Sequence, residues 1–76
     1  MNTIHEHDRV VLTVDLPYEK LASGDVGTVV HVHAGESAYE VEFVSLSGET
    51  IAVVTVERAQ VRPVERREIT HARLVA

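Results

Sequence analysis

The sequence predicts an all-β domain of about five short antiparallel strands, and three observations support this fold class. Glycine and proline divide the 76 residues into short segments. The β-branched residues fall in short runs between these breaks. One segment, 38–44, alternates cleanly between apolar and acidic side chains, which is typical of a strand with one buried face. A chain of this length forms one domain and buries only about 60% of its unfolded surface.

The first strand is predicted over residues 8–14, where β-branched residues dominate. Residues 15–25 form a long loop, and Pro17 favours one helical turn within it. The apolar side chains of that turn, which are expected to pack inward, are Leu16, Tyr18 and Leu21. Gly24 and Gly27 mark positions that need a positive φ or a tight bend.

The second and third strands are predicted over 27–33 and 38–44, joined by a hairpin turn at 34–37. Simple alternation along the second strand puts three side chains on one face (Thr28, Val30 and Val32) and three on the other (Val29, His31 and His33). In the third strand the inward side chains are Tyr39, Val41 and Phe43, and the outward ones are Glu40 and Glu42.

The fourth strand is predicted over 49–55, after a turn at 45–48. One 3₁₀ turn at 57–60 precedes a short last strand, 61–64. Because Pro63 cannot donate to a ladder, this strand is expected at an edge or at a barrel closure. These elements together predict a small SH3-like barrel with a short 3₁₀ turn and a C-terminal tail, because closure protects strand edges. The predicted core is Val10, Leu12, Val26, Val30, Val32, Tyr39, Val41, Phe43, Ile51, Val53 and Val61.

Three regions follow from this assignment: an N-terminal extension over 1–7, the barrel over 8–64 and an arginine-containing tail over 65–76. The net charge of −5 divides unevenly, at −7 for residues 1–56 and +2 for residues 57–76. An acidic body repels phosphate backbones, so general nucleic-acid binding is disfavoured.

The chain has no cysteine, which excludes disulfides and thiolate metal sites. Its polar start has no apolar segment of the signal-peptide type, and no apolar run approaches about 20 residues. We therefore expect a cytoplasmic protein of bacterial type that requires no cofactor and does not bind a membrane.

Four segments carry a resemblance to a known family: Leu16–Leu21, Gly24–Val30, Tyr39–Phe43 and Val61–Val64. In this order they resemble short bacterial proteins with a domain of unknown function, which are expected to be SH3-like barrels. The resemblance covers residues 8–64 and implies a fold rather than an activity. The genomic context of some such proteins implies small partners of toxin-like or nuclease-like proteins, and hence an immunity or antitoxin role.

Four of the five histidines are candidate metal ligands, and they form two i, i+2 pairs: His31 and His33, and His5 and His7. If the N-terminal segment crossed the second strand, three or four imidazoles would converge on a zinc or nickel ion. The alternative is that these side chains simply face solvent.

Other candidate residues favour binding over catalysis. Glu40 and Glu42 share an exposed strand face and would attract a basic partner. The remaining partner-binding candidates are Tyr18 in the long loop and the arginines Arg62, Arg66 and Arg67. No serine–histidine–acid arrangement or opposed carboxylate pair is visible, so the sequence predicts no enzyme and no catalytic residue.

The leading functional hypothesis is a non-enzymatic protein-interaction module that binds, and as an antitoxin would neutralise, a partner encoded by a neighbouring gene. One alternative is a nucleic-acid-associated accessory domain that uses the basic tail, and another is a histidine metal-binding module. Homodimer formation is a further expectation, since an open edge or a mobile tail can pair by strand addition or exchange.

Overall fold

Five antiparallel strands form one sheet in the computed structural model, which describes residues 3–75. The strands are β1 (Arg9–Leu12), β2 (Val26–Val32), β3 (Ala38–Val44), β4 (Thr50–Glu57) and β5 (Val61–Pro63). Their order across the sheet is β4-β3-β2-β1-β5. The predicted all-β class, the number of strands and their antiparallel pairing are confirmed.

The sheet is open, whereas the sequence predicts a closed barrel. Within residues 3–75, β4 and β5 form the two edges and no ladder joins them. A single 3₁₀ turn, Arg58–Gln60, carries the chain from one edge to the other. The Thr13 amide donates to the Gln60 carbonyl oxygen at 2.8 Å, which holds this turn against the end of β1.

Two further 3₁₀ turns lie at Pro17–Glu19 and Ala34–Glu36, where the sequence predicts a helical turn and a hairpin turn. Pro17 begins the first of them, as its fixed φ favours. Leu21 is buried and Leu16 packs against the core, but the prediction for Tyr18 is wrong, because its side chain is fully exposed.

A β-bulge in β2 reverses the predicted faces of residues 28–30. The pairing with β3 shifts between Val29 and His31, so Val30 is an extra residue without a partner. Val29 is consequently fully buried and Val30 is 39% exposed, the opposite of the sequence prediction. Beyond the bulge the alternation is restored, with Val32 against the core.

A second irregularity, between Phe43 and Val44, has the same effect on β4. Val54 and Val56 point into the core, whereas Val53, predicted to be inside, is 56% exposed. Ile51 is only partly buried.

The core lies on one face of the sheet and extends beyond the strands. Its buried members are Ile4, Val10, Leu12, Leu21, Val29, Tyr39, Val41, Phe43, Val54, Val56 and Val61. Ile4 belongs to the segment predicted as an extension. That segment also lengthens the β1–β2 pairing, since the His7 amide donates to the Val29 carbonyl oxygen at 2.7 Å. Among the described residues, no helix has the length and hydrophobicity that a membrane crossing requires.

Candidate partner-binding surface

The exposed side of β3 presents Glu40 and Glu42, and neighbouring side chains fix the orientation of both carboxylates. The Thr55 hydroxyl donates to Glu40 Oε2 at 2.7 Å, and His33 Nε2 lies 2.6 Å from the same oxygen. The Thr50 hydroxyl donates to Glu42 Oε2 at 2.8 Å. Both carboxylates are therefore positioned before any partner arrives.

These contacts also keep Glu40 ionised. The hydrogen bond from Thr55, followed by the contact with His33, holds the pKa of Glu40 below its ordinary value. Each contact engages Oε2, and no other side chain among residues 3–75 hydrogen-bonds to either carboxylate. Within the described part of the chain, the second oxygen of each group has no side-chain hydrogen bond and can accept one from a partner.

Two of the four candidate histidines, His31 and His33, contact each other. His31 and His33 lie on the same side of β2, with ring centroids 5.1 Å apart in an edge-to-face arrangement. His5 Nδ1 lies 3.6 Å from an Asp8 carboxylate oxygen, and His7 Nε2 lies 3.7 Å from a carboxylate oxygen of the preceding residue, Glu6. Within residues 3–75, no three histidine or acidic side chains group as metal ligands do.

Tyr18 is the remaining candidate in the first half of the chain. Its ring is fully exposed at the 3₁₀ turn Pro17–Glu19. This turn lies outside the sheet, so Tyr18 and the two glutamates of β3 belong to different elements.

The tail folds back on the sheet through two arginine–carboxylate pairs. Arg62 on β5 donates through both terminal nitrogens to the Glu68 carboxylate, at 2.9 and 2.7 Å. Arg73 donates from Nε to Asp25 at 2.8 Å and from Nη2 to the second Asp25 oxygen and to the Lys20 carbonyl oxygen. Bidentate pairs of this kind fix the relative orientation of the two side chains and also bring opposite charges together.

These ion pairs bear on the arginines that the sequence predicts to bind a partner. Arg62 is half-buried and pairs with Glu68 within the chain, and its role in partner binding stays a prediction. Arg66 and Arg67 are exposed and make no ion pair within residues 3–75. The Arg73–Asp25 pair joins positions far apart in the chain, and no local sequence signal indicates it.

A groove of about 690 Å³ lies between the tail and the adjoining side of the sheet. Its apolar lining includes Val11, Val44, Leu46, Ile69 and Leu74. Val11 is buried although it points away from the core that holds Val10 and Leu12. Leu46, Ile69 and Leu74 remain more than four-fifths exposed, so the tail borders this groove without filling it.

The Arg62–Glu68 pair gives a pH prediction. Arg62 and the Glu65 amide lower the pKa of Glu68 to about 2. Because the folded-state pKa is depressed, the contribution of the pair is present above the ordinary pKa and is lost as the pH falls through about 2. In carboxyl-detected NMR titrations we expect Arg62→Gln to move the Glu68 midpoint up towards its ordinary value of 4.5 and Arg66→Gln to leave it unchanged. An equal midpoint in both variants would contradict the pairing.

A comparison with known protein families assigns the chain to one of them. The family model of a domain of unknown function, DUF4926, matches residues 6–63, which is more than half of the chain. The chain belongs to the DUF4926 family. The DUF4926 match includes all five strands and ends at Pro63, so Glu68 and Arg73 lie outside it. No curated protein and no solved structure matches the chain.

Within the DUF4926 match, the sequence indicated Glu40 and Glu42 as candidates but did not indicate the residues that orient them. Thr50 and Thr55 lie on β4, and their contacts depend on the exact β3–β4 register. A threonine directly across from a glutamate is a recognisable signal once the register is known, as for Thr55 and Glu40.

Proposed function

We propose that this domain is a non-enzymatic protein-interaction module that binds a basic surface of a partner protein through the exposed β3–β4 face. The observation that carries this proposal is the fixed orientation of Glu40 and Glu42 by Thr55 and Thr50. A preorganised acceptor loses less side-chain entropy on binding than a mobile one. Partly exposed carboxylates with a fixed orientation therefore favour recognition of lysine and arginine side chains.

The charge distribution supports the same interpretation. Residues 1–56 carry a net charge of −7, and this region includes β1, β2 and β3. A field of one sign accelerates the encounter with a basic partner and discriminates against acidic ones.

The proposal includes an SH3-like fold. We interpret the open sheet as an SH3-like barrel, on the basis of its strand order and the 3₁₀ turn between β4 and β5. The resemblance of the glycine-turn and Tyr39–Phe43 segments to small bacterial partner proteins supports a cytoplasmic bacterial setting. Within it, the partner would be a toxin or nuclease encoded nearby.

The contacts of the tail weaken the nucleic-acid alternative. Arg62 and Arg73 are neutralised by Glu68 and Asp25, which leaves Arg66 and Arg67 as the tail cations without an ion pair in the described structure. Two cations beside an acidic body supply little of the counterion release on which non-specific nucleic-acid binding depends.

Affinity purification from the source organism, with partners identified by mass spectrometry, tests the proposal. Reconstitution with the purified partner then measures the affinity. We expect the double substitution Glu40→Gln, Glu42→Gln to weaken binding about tenfold and to reduce its salt dependence, since each lost charge contact is worth on the order of 0.5–1 kcal/mol.

A matched control removes the same charge elsewhere. Glu19 and Glu65 are exposed, and the Glu19→Gln, Glu65→Gln variant should bind as the parent does. Equal affinity of the two double variants would overturn the assignment of the surface. Salt-dependent binding to RNA that is lost on replacing Arg66 and Arg67 would favour the nucleic-acid alternative instead.

A further inference from the structure

One edge of the sheet, formed by β4, has no backbone partner among residues 3–75. β4 is eight residues long, contains no proline and carries no charge before Glu57. Within the described part of the chain, the backbone of residues 50–56 hydrogen-bonds only with β3. A long edge strand with free backbone donors and acceptors is a template for pairing with another chain, and proteins normally blunt or cover it.

The opposite edge of the sheet, formed by β5, is protected. β5 has only three residues, and Pro63 has no amide proton to donate. The Arg62 guanidinium also donates to the Pro63 carbonyl oxygen at 3.1 Å, so an acceptor of this strand is already used. The contrast between the two edges identifies β4 as the edge open to a partner.

We propose that the β4 edge binds an extended basic segment of the partner protein as a sixth strand. This inference rests on the proposed function and specifies how the partner is held. Main-chain hydrogen bonds would supply affinity, and alternate side chains would supply specificity.

Charge complementarity defines the pattern of that segment. Neighbouring strands lie about 4.8 Å apart, so a sixth strand would lie about 10 Å from β3. From there a lysine or arginine side chain reaches across Val53 to Glu42, or across Thr55 to Glu40. Each glutamate is the direct cross-strand partner of the β4 residue that is crossed. The intervening residues of the segment would face the side of Val54 and should be apolar.

A second copy of this chain fits the edge less well than a basic segment does. Antiparallel self-pairing would place the glutamates of β3 from both copies on one continuous face. Two chains of net charge −5 would also have to associate. Like charges brought together in this way oppose binding.

The test uses the full chain labelled with ¹⁵N and two peptides of alternating lysine and valine. One peptide has free amides, and the other is N-methylated at two adjacent central residues, which interrupts both of its strand edges but keeps its charge. We expect the free peptide to shift the amide resonances of residues 50–57. We expect the methylated peptide to bind at least about tenfold more weakly.

Substitution at the edge gives an independent readout. Val53 is 56% exposed and lies opposite Glu42, so Val53→Lys is compatible with folding. It places a positive charge on the edge and should weaken binding of the free-amide peptide about tenfold. The control Val14→Lys adds the same charge at another exposed valine and should leave binding unchanged.

The outcomes separate this inference from the proposed function. Equal binding of the two peptides, with sensitivity to Glu40→Gln, would overturn strand addition and leave the acidic surface as the binding site. Concentration-dependent broadening of residues 50–57 without peptide would assign the edge to a second copy and also overturn it. If neither a peptide nor a cellular partner binds, both proposals fail.

Discussion

Gly27→Ala should destabilise the domain by about 3 kcal/mol, at the upper end of what overpacking costs. Gly27 is buried in β2 and has no positive φ, so its role is to leave space for neighbours. A Cβ at this position would lie 2.5 Å from Val41 Cγ1, 2.8 Å from Phe43 Cε2 and 3.0 Å from the Glu42 carbonyl oxygen. A backbone atom cannot withdraw as a side-chain tip does, so β2 and β3 would have to separate.

Urea denaturation measures this effect, and Gly48→Ala is its control. Gly48 has a φ of +94° and nothing lies within 4 Å of where a Cβ would stand, so its substitution costs only backbone strain of about 1–2 kcal/mol. Adding Phe43→Leu to Gly27→Ala should recover part of the loss, because the leucine side chain is shorter. Equal destabilisation by Gly27→Ala and Gly48→Ala would show that close packing is not the role of Gly27.

Leu12→Ala is the second substitution with a large expected effect, at about 3 kcal/mol. Leu12 is 1% exposed and ends β1, the strand that pairs with both β2 and β5. Removing its side chain loses the transfer free energy of the buried methyl groups and leaves a cavity that rigid strands cannot fill. A domain of this size has little stability to spare, so a substantial unfolded fraction is expected at 37 °C.

The matched control is Leu46→Ala, in which the same atoms are removed from a side chain that is 82% exposed. Thermal unfolding followed by circular dichroism should show a clear drop in Tm for Leu12→Ala and almost none for Leu46→Ala. A comparable drop in both would mean that Leu46 is covered in solution, in conflict with its exposure in the structure.

Strand positions were predictable from the sequence because β-branched runs and turn residues mark them directly. Segment 38–44, with its strict alternation, was predicted with the bounds that the structure shows and with the correct faces. In β2 and β4, by contrast, apolar residues stand next to each other, as in Val29–Val30 and Ile51–Val54, and periodicity cannot assign a face. The bulge at Val30 and the register shift opposite Val44 then reversed the simple count, so that Val29 and Val54 are buried.

The candidate site was predictable only in part, for a related reason. Glu40 and Glu42 stand out within an alternating strand, but their hydroxyl partners depend on the register of β4. The ion pair between Arg73 and Asp25 depends on the path of the tail, which has no periodic pattern to indicate it. The same fold-back explains why Val11 is buried on the side of the sheet that alternation assigns to solvent.

The position of β1 between β2 and β5 has a consequence for how the chain folds. The ladders β2–β3 and β3–β4 join neighbouring segments, whereas β1 pairs with β5 across about 50 intervening residues. Closing so long a loop costs chain entropy before any contact offsets it. The local hairpins should therefore assemble early and the β1–β5 pairing late, which makes contact order the main determinant of the folding rate.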